Sequence, residues 1–322
     1  MWTGRGAVWV ILVWALFSAG CTPEREAPLR IGTNVWPGYE PLYLARSLGY
    51  FDGTPIIMVE YPSSTEVARA FSNGAIEAAA LTLDEVLTVV QQDVAARVVL
   101  VMDTSYGADV LLGKPYLKNL NDLKGRVVGV ESGALGAYVL SRALEIAGLN
   151  PADITVRSLP SSDAQQQLYE AGQLDALVTM EPLRTQLMRK GARQLFDSSQ
   201  IPGEVVDVLV VRQDYLEQHP QQVNDLLSRW FTTLAYRSKN LDDSNRRMSK
   251  RLALSPEEVG RSFDGLRIPS LEDNRKLLGG NPPQLLAPAE KLMRTMLAKQ
   301  LLNKPVALPP LFTTRYLPAN AP

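Results

Sequence analysis

Short apolar strands alternate with helices from Leu29 onward, and this alternation constrains the fold more than any other feature of the chain. Strands are predicted at Leu29–Gly32, Ile56–Glu60, Glu77–Leu81, Val98–Met102, Ala108–Gly113, Val127–Val130, Ile154–Ser158, Asp175–Thr179 and Val205–Val211. Strands that alternate with helices form a mostly parallel sheet covered on both faces. The sequence therefore predicts an α/β fold.

The loop after the first strand is the first candidate for a binding site. It reads NVWPGYE and lies between a strand's carboxyl end and a predicted helix at Pro41–Leu48. Open α/β sheets bind ligands at this place, because unpaired helix amides face the crevice outside the strand ends. The simpler alternative is that Pro37-Gly38 forms only a turn, with Trp36 and Tyr39 as its lid.

The strand and helix pattern restarts at Val127, which predicts two lobes. Phe71–Leu81 and Tyr169–Thr179 share an aromatic residue, a glycine, an aliphatic residue and an acid before a strand. From Pro220 the chain is predicted to be almost wholly helical and to pack back on the first lobe. We predict lobe 1 at residues 29–110 and 206–322, and lobe 2 at residues 111–205.

The first residues of the chain are typical of an export signal. Arg5 precedes an apolar run, Ala7–Phe17, that is too short to span a membrane. The following SAGC resembles a bacterial lipoprotein signal, although Ser18 stands where that pattern usually has leucine. Residues 1–20 are predicted to be the signal peptide and 21–28 a tether, with lipidated Cys21 anchoring the protein on the periplasmic side of a bacterial membrane.

The composition argues against several classes of function. The 33 basic and 34 acidic residues nearly cancel, and no block of like charge predicts a nucleic-acid partner. One cysteine allows neither an intramolecular disulfide nor a cysteine-based metal site. His219 is the one histidine, and no catalytic triad, metal cluster or phosphate loop can be assembled. We predict no catalytic residues, no metal and no cofactor.

Five motifs together resemble the periplasmic solute-binding proteins of ABC importers, in the group that binds nitrate, sulfonates, taurine and thiamine precursors. The motifs are IGTNVWPGYEPLYLARSLGYF, NGAIEAAALT, NDLKGRVVGVESGALG, AGQLDALVTMEP and VVRQDYLEQHP. The resemblance implies a type II fold of two α/β lobes that close on a ligand, with crossings near Ala108–Gly113 and Val205–Val211. It also implies a monomer that delivers its ligand to a permease with its ATPase.

The resemblance places the ligand-binding residues at the loops between the lobes. The candidates are Asn34, Trp36, Tyr39, Tyr61, Ser63, Thr82, Asp84, Asp103, Tyr106, Glu131, Ser132, Gly133, Thr179 and Glu181. Thr104 near the first crossing is a further candidate. For each serine and threonine the alternative is a helix cap, and for Glu181 it is an interaction with a helix dipole.

The charges of these loops bear on the ligand. The acids in them are Glu40, Asp84, Asp103, Asp109, Glu131 and Glu181, with hardly an arginine or lysine. Arginine is the better partner for a planar oxyanion, whereas tyrosine and tryptophan rings can hold a cation. The sequence therefore favours a neutral or cationic small organic ligand over sulfonate or nitrate.

Three other functions stay open at this point. Yeast thiamine-pyrimidine synthases share the architecture, and their chemistry uses an active-site histidine and a cysteine-rich motif. This chain has only His219, before a helix, and its single cysteine lies in the leader. A lipoprotein that signals to a membrane kinase or cyclase needs the same hinge closure. An orphan lipoprotein that has lost tight binding is the third possibility.

Overall fold

The computed structural model describes residues 27–131 and 133–320, so the predictions on Cys21 and Ser132 lie outside the described residues. The strands are β1 (Leu29–Thr33), β2 (Ile56–Glu60), β3 (Ala78–Thr82), β4 (Ala96–Ser105), β5 (Asp109–Gly113), β6 (Val127–Glu131), β7 (Thr155–Leu159), β8 (Ala176–Met180), β9 (Arg193–Asp197), β10 (Val206–Arg212) and β11 (Leu266–Arg267). The helices are α1 (Glu40–Ser47), α2 (Ser64–Ser72), α3 (Leu83–Val90), α4 (Ala134–Ala147), α5 (Ser162–Glu170), α6 (Leu183–Arg189), α7 (Gln213–Gln218), α8 (Pro220–Lys239), α9 (Leu241–Leu252), α10 (Pro256–Ser262), α11 (Leu271–Leu278) and α12 (Leu286–Ala298).

Two sheets form the framework, which confirms the predicted α/β fold of two lobes. One sheet has six strands in the order β11-β4-β10-β3-β1-β2, and the other has five in the order β7-β6-β8-β5-β9. We call the parts built on these sheets lobe 1 and lobe 2. Within the described residues, no helix combines the length and apolarity needed to cross a membrane.

Each sheet contains a strand that runs against its neighbours. In lobe 1, β1 is parallel to β2 and β3, whereas β10 is antiparallel to β3 and β4. In lobe 2, β6 is parallel to β7 and β8, whereas β5 is antiparallel to β8. Both β5 and β10 are the first strands after a passage between the lobes. They start at the cleft, where the parallel strands end, and therefore run the opposite way.

The chain crosses between the sheets slightly earlier than the sequence predicts. The passages are residues 106–108 and 198–205, between β4 and β5 and between β9 and β10. Most of Ala108–Gly113 and of Val205–Val211 belongs to strands β5 and β10. Runs of branched apolar residues have high strand propensity, so these segments pair in the sheets instead of serving as hinges.

The C-terminal helices pack on lobe 1. The core on one face of its sheet includes Trp230 and Phe231 of α8 and Met248 of α9. On α11, the buried Asn274 side chain bonds both the N–H and the carbonyl of Val101 in β4, at 2.7 and 3.2 Å. This pairing fixes α11 to the sheet, because a buried amide holds its position only where its polar atoms find partners.

Candidate functional site

The ends of strands from both sheets meet at one edge and carry polar side chains. In lobe 1, Asp207 at the start of β10 pairs with Thr82 at the end of β3 and with Asp103 near the end of β4. In lobe 2, Asp109 at the start of β5 pairs with Met180 at the end of β8. The strand pairing therefore collects acids from three strands, β4, β5 and β10, along the cleft between the lobes.

Two small cavities lie inside this cleft. The Trp36 chamber measures about 10 Å³ and is lined by Asn34, Trp36, Tyr39, Ser64, Thr82, Glu85, Asp109, Leu135, Met180 and Asp207. The Gln165 chamber measures about 20 Å³ and is lined by Ser64, Glu85, Asp109, Glu131, Gly133, Leu135, Gly136, Gln165, Val178, Thr179 and Met180. Each has room for about one water molecule, so a solute can enter only if the lobes move apart.

The linings of both chambers are acidic. Glu85, Asp109, Glu131 and Asp207 contribute carboxyl groups, and no arginine, lysine or histidine is among the lining residues. All four are buried. Uncompensated buried carboxylates are costly, so this concentration of acid without a base is a feature that stability alone does not explain.

Aromatic side chains bond to two of the acids in lobe 1. The indole N–H of Trp36 donates to Asp103 Oδ2 at 3.1 Å, and the Tyr39 hydroxyl donates to Asp207 Oδ1 at 2.5 Å. A Cβ on Gly38 would lie 1.8 Å from Asp103 Oδ2 and 2.5 Å from Trp36 Nε1. Glycine is therefore required at this position to let Asp103 approach the loop, beyond any role in the turn.

Several buried oxygen atoms around the Trp36 chamber have no hydrogen-bond partner in the protein. Among the residues lining this chamber they are Asn34 Oδ1, Thr82 Oγ1, Asp109 Oδ2 and Asp207 Oδ2. Asp84 Oδ2 and Asp103 Oδ1 are buried nearby, where Asp84 can accept from the Thr82 hydroxyl and Asp103 can share a proton with Asp207. Buried polar atoms are normally paired, and all of these can accept hydrogen bonds. With its carboxyl groups ionised, the chamber is therefore rich in acceptors and poor in donors.

Burial raises the pKa of the carboxyl groups in the cleft. The pKa rises to about 6 for Asp84 and to about 7 for Asp103 and Asp109. Burial, with repulsion from Asp84, raises the pKa of Glu85 to about 8. Burial also raises the pKa of Asp207 well above its usual range, with repulsion from Asp103 and Asp109 as further causes. The cleft can therefore hold protons near neutral pH and release them to an incoming cation.

Glu131 connects the two lobes. Its Oε1 atom accepts from Ser64 Oγ at 3.0 Å, from the Thr65 N–H at 3.3 Å and from Thr65 Oγ1 at 3.2 Å. Ser64 and Thr65 are the first residues of α2 in lobe 1, whereas Glu131 ends β6 in lobe 2. A helix N-terminus is a ready site for an anion. The carboxyl group of Glu131 thus occupies a position that an anionic ligand would otherwise favour.

A wider cavity of about 350 Å³ lies at the mouth of the cleft, between Asn34 and Tyr61 of lobe 1 and Glu181 of lobe 2. Arg251 of α9 also lines it and forms ion pairs with Glu40 and, at 2.7 Å, with Glu60. Burial raises the pKa of Glu40 to about 7, although Arg251 acts in the opposite direction. The positive charge nearest the mouth is therefore already paired with acids of lobe 1.

The predicted site residues separate into groups. Seven line the inner chambers: Asn34, Trp36, Tyr39, Thr82, Glu131, Gly133 and Thr179. Asp84 and Asp103 are buried beside them without lining a chamber, and Tyr61 and Glu181 lie at the outer cavity. The Glu181 carboxylate accepts from the N–H and hydroxyl of Thr185 at 3.2 and 2.9 Å, which matches its alternative role at a helix N-terminus.

Ser63 and Tyr106 line none of these cavities either. Ser63 caps α2, since its hydroxyl accepts from the Glu66 N–H at 3.3 Å. Tyr106 is 43% exposed, and the Arg267 guanidinium lies 4.8 Å from its ring centre. Tyr106 belongs to the passage between lobes, so its side chain turns outward.

Sequence reasoning missed four polar lining residues: Ser64, Glu85, Gln165 and Asp207. Glu85 follows Thr82 at the spacing of a capping box, and Glu85 Oε2 accepts from the Thr82 N–H at 3.0 Å. The signal for Asp207 was an acid inside the apolar run VVDVLVV. A charged residue is rarely buried inside an apolar strand without a function, so this pattern could have identified Asp207 as a site residue.

The arrangement does not fit a bare metal ion. Within residues 27–131 and 133–320, no group of three or more aspartate, glutamate, histidine or cysteine residues is placed to hold one. The acids are instead spread along the cleft, on both lobes. Their spacing suits a ligand with several separate hydrogen-bond donors.

The fold is similar to that of several solved proteins. The alkanesulfonate-binding protein SsuA from Xanthomonas axonopodis pv. citri, bound to MOPS, superposes with a TM-score of 0.75 at 21% identity, covering 89% of this chain and 98% of that one. The aliphatic sulphonate-binding protein SsuA of Escherichia coli superposes with a TM-score of 0.72 at 20% identity, again covering 89% of this chain and 98% of that one. The desulfurization enzyme DSZB superposes with a TM-score of 0.68 at 17% identity, covering 90% of this chain and 97% of that one. At these identities the likeness concerns the fold alone.

The chain belongs to the NMT1-like family, whose model matches residues 22–253. The taurine-binding periplasmic protein of Escherichia coli strain K12 is 25% identical over 190 residues. Those residues are 57% of this chain and 59% of that protein. The chain thus matches less than two thirds of the length of this relative.

Proposed function

We propose that this protein binds a small polar organic solute in the cleft outside the cytoplasm and delivers it to an ABC-type permease and its ATPase. Family membership and the likeness to periplasmic sulfonate- and taurine-binding proteins support this role. The observation that carries it is the set of buried, unpartnered oxygen atoms around the Trp36 chamber. Such atoms are satisfied when the lobes close on a ligand that brings the missing donors.

The ligand that we propose is neutral or cationic. The inner chambers have acidic linings with no basic residue, so a sulfonate placed there would find no basic side chain to compensate its charge. We therefore favour neutral or cationic solutes over the sulfonates and taurine named for the relatives. The proposed division that opens and closes is lobe 1 at residues 29–110 and 206–322 and lobe 2 at 111–205, except that strand β5 places Asp109 and Val110 in lobe 2.

The proposal includes an anchor and excludes catalysis. The SAGC segment before the mature chain supports a lipid on Cys21 that holds the protein, as a monomer, at the periplasmic side of a membrane. Neither histidine nor cysteine is among the residues that line the two chambers. The acids there are better suited to hold a cation than to catalyse a reaction, even though DSZB shares the fold.

Thermal unfolding with a panel of amines, sugars, amides, sulfonates and nitrate tests the proposal. A ligand at 100 times its Kd should stabilise the chain by about 2.7 kcal/mol. Asp207→Asn should reduce that stabilisation, whereas Asp242→Asn on the exposed start of α9 should leave it unchanged. A panel member that stabilises wild type and Asp207→Asn equally would place its binding outside the cleft and contradict the proposal.

A further inference from the structure

We infer that the ligand of the proposed function is an organic cation with N–H donors, an ammonium or guanidinium compound, whose head group enters the Trp36 chamber. This inference rests on the proposed function and specifies its substrate class. The first support is the type of atom left without a partner. In this chamber Asn34 Oδ1, Asp109 Oδ2 and Asp207 Oδ2 are buried acceptors, and the Thr82 hydroxyl can also accept.

The second support is charge. Asp109 and Asp207 line the chamber, Asp103 and Asp84 are buried behind it, and the nearby donors are the neutral groups of Trp36 and Tyr39. A hydrogen bond between a charged donor and a carboxylate is about twice as strong as a neutral one. A cationic head group therefore satisfies the acceptors and neutralises the acids together, which a neutral amide cannot do.

The third support is the contrast between the two chambers. Leu135 and Met180 line both chambers, and Val178 adds a further apolar residue to the Gln165 chamber, where Gln165 and Thr179 provide a polar edge. Thr179 Oγ1 and Gln165 Oε1 are already 3.2 Å apart and satisfy each other. Ser64, Glu85 and Asp109 border both chambers. A ligand thus lies with its cationic head at Trp36 and a short, partly apolar tail toward Gln165.

The inference excludes quaternary ammonium compounds. A trimethylammonium group carries the same charge as an ammonium group but has no N–H donor, so it would leave the four acceptors buried and unpaired. Sites built on hydrogen bonds reject analogues that lack the bonding group far more strongly than they reject a missing methylene. Choline-type ligands, which depend on aromatic faces, should bind weakly here.

A matched ligand series tests this. Butylamine, butylguanidine, butyltrimethylammonium, butyramide and butanesulfonate are titrated into the full-length chain, and binding is measured by calorimetry and by tryptophan fluorescence, with Trp36→Phe to assign the signal to the cleft. The amine or the guanidine should bind at least about 100-fold more tightly than the trimethyl compound. Asp109→Asn and Asp207→Asn should each weaken that binding by about 10- to 100-fold, and Asp242→Asn should not.

The outcomes separate the inference from the proposed function. Equal binding of the amine and its trimethyl or amide analogue overturns the inference, as does failure of the amine and the guanidine to bind below about 1 mM. If butanesulfonate then binds with a signal lost in Trp36→Phe, the cleft is still a solute site and the proposed function stands. If the amine binds but neither aspartate variant weakens its binding, the head group lies outside the Trp36 chamber. Both the inference and the proposed function then fail.

Discussion

At the scale of single residues, Trp36 belongs to the core and to the cleft together. It is 2% exposed, packs in the core of lobe 1 and lines the inner chamber. Replacing it with alanine would leave a cavity, with a cost of about 3–5 kcal/mol. Loss of binding in that variant would therefore not distinguish a ligand contact from a damaged core, and phenylalanine is the informative substitution.

The buried carboxyl groups predict a pH dependence of stability. Asp109 has a pKa of about 7 in the folded chain because of burial, compared with about 3.9 when unfolded. The folded chain therefore binds more protons between these values, and its stability falls as the pH rises from about 4 through about 7. Asp109→Asn removes this penalty, so the variant should be more stable than wild type at pH 8, by up to about 4 kcal/mol.

Urea unfolding at pH 5 and pH 8 measures this effect. At pH 5 the Asp109→Asn and wild-type chains should differ less, since the wild-type carboxyl is then protonated when folded. Asp242→Asn provides the exposed control. A free energy of unfolding for Asp109→Asn that changes with pH as steeply as in wild type would contradict the assignment of Asp109 as a buried, protonated acid.

The site was predictable where polar residues follow a strand, and not where they interrupt one. Asn34, Trp36 and Thr82 were identified because the carboxyl ends of parallel strands share one edge. Asp207 was missed because it starts a strand that runs the opposite way, which puts the start of that strand at the cleft. Only the pairing of β10 with β3 and β4, a long-range property, reveals this.

At the scale of elements, the α2 N-terminus and Glu131 predict a change of specificity. Glu131→Ala removes the carboxyl group that accepts from Ser64 and Thr65 and leaves helix amides open to another anion. The variant should gain stabilisation from millimolar butanesulfonate, by a few tenths to about 1 kcal/mol, where wild type gains none. Thermal unfolding with and without the sulfonate measures it.

The matched control for this prediction is Glu257→Ala, which removes an exposed carboxylate from the first turn of α10. It should respond to sulfonate as wild type does. An identical response of the Glu131→Ala and wild-type chains would show that Glu131 does not occupy an anion position, and that the preference against sulfonate, if observed, has another cause.

Secondary structure was predictable where apolar residues recur regularly at helix or strand spacing. The helix after Ser161 and the one that begins at Pro220 follow their caps and apolar spacing. The sequence analysis did not predict β9, with the sequence RQLFD. Strand β9 forms an edge of its sheet, so its pairing with β5, and not local pattern, determines it.

At the scale of the whole molecule, the two passages between lobes allow the chambers to open. The chain crosses at residues 106–108 and 198–205, and Ser105 and Ser198 are joined there by a hydroxyl hydrogen bond at 2.8 Å. Gly133 lets lobe 2 approach α2, since a Cβ there would lie 2.9 Å from Thr65 Oγ1. Closure therefore brings Glu131, Gly133 and the acids of lobe 1 around whatever the cleft holds.

The most direct test is to identify the molecule that the protein carries. The chain is purified without unfolding, denatured, and the released small molecules are identified by mass spectrometry, with Asp207→Asn purified in parallel. We predict a stoichiometric ammonium or guanidinium compound that is absent or strongly depleted in the variant. A sulfonate or another anion released equally from both proteins would contradict the central claim that the buried carboxyl groups of this cleft select a cation.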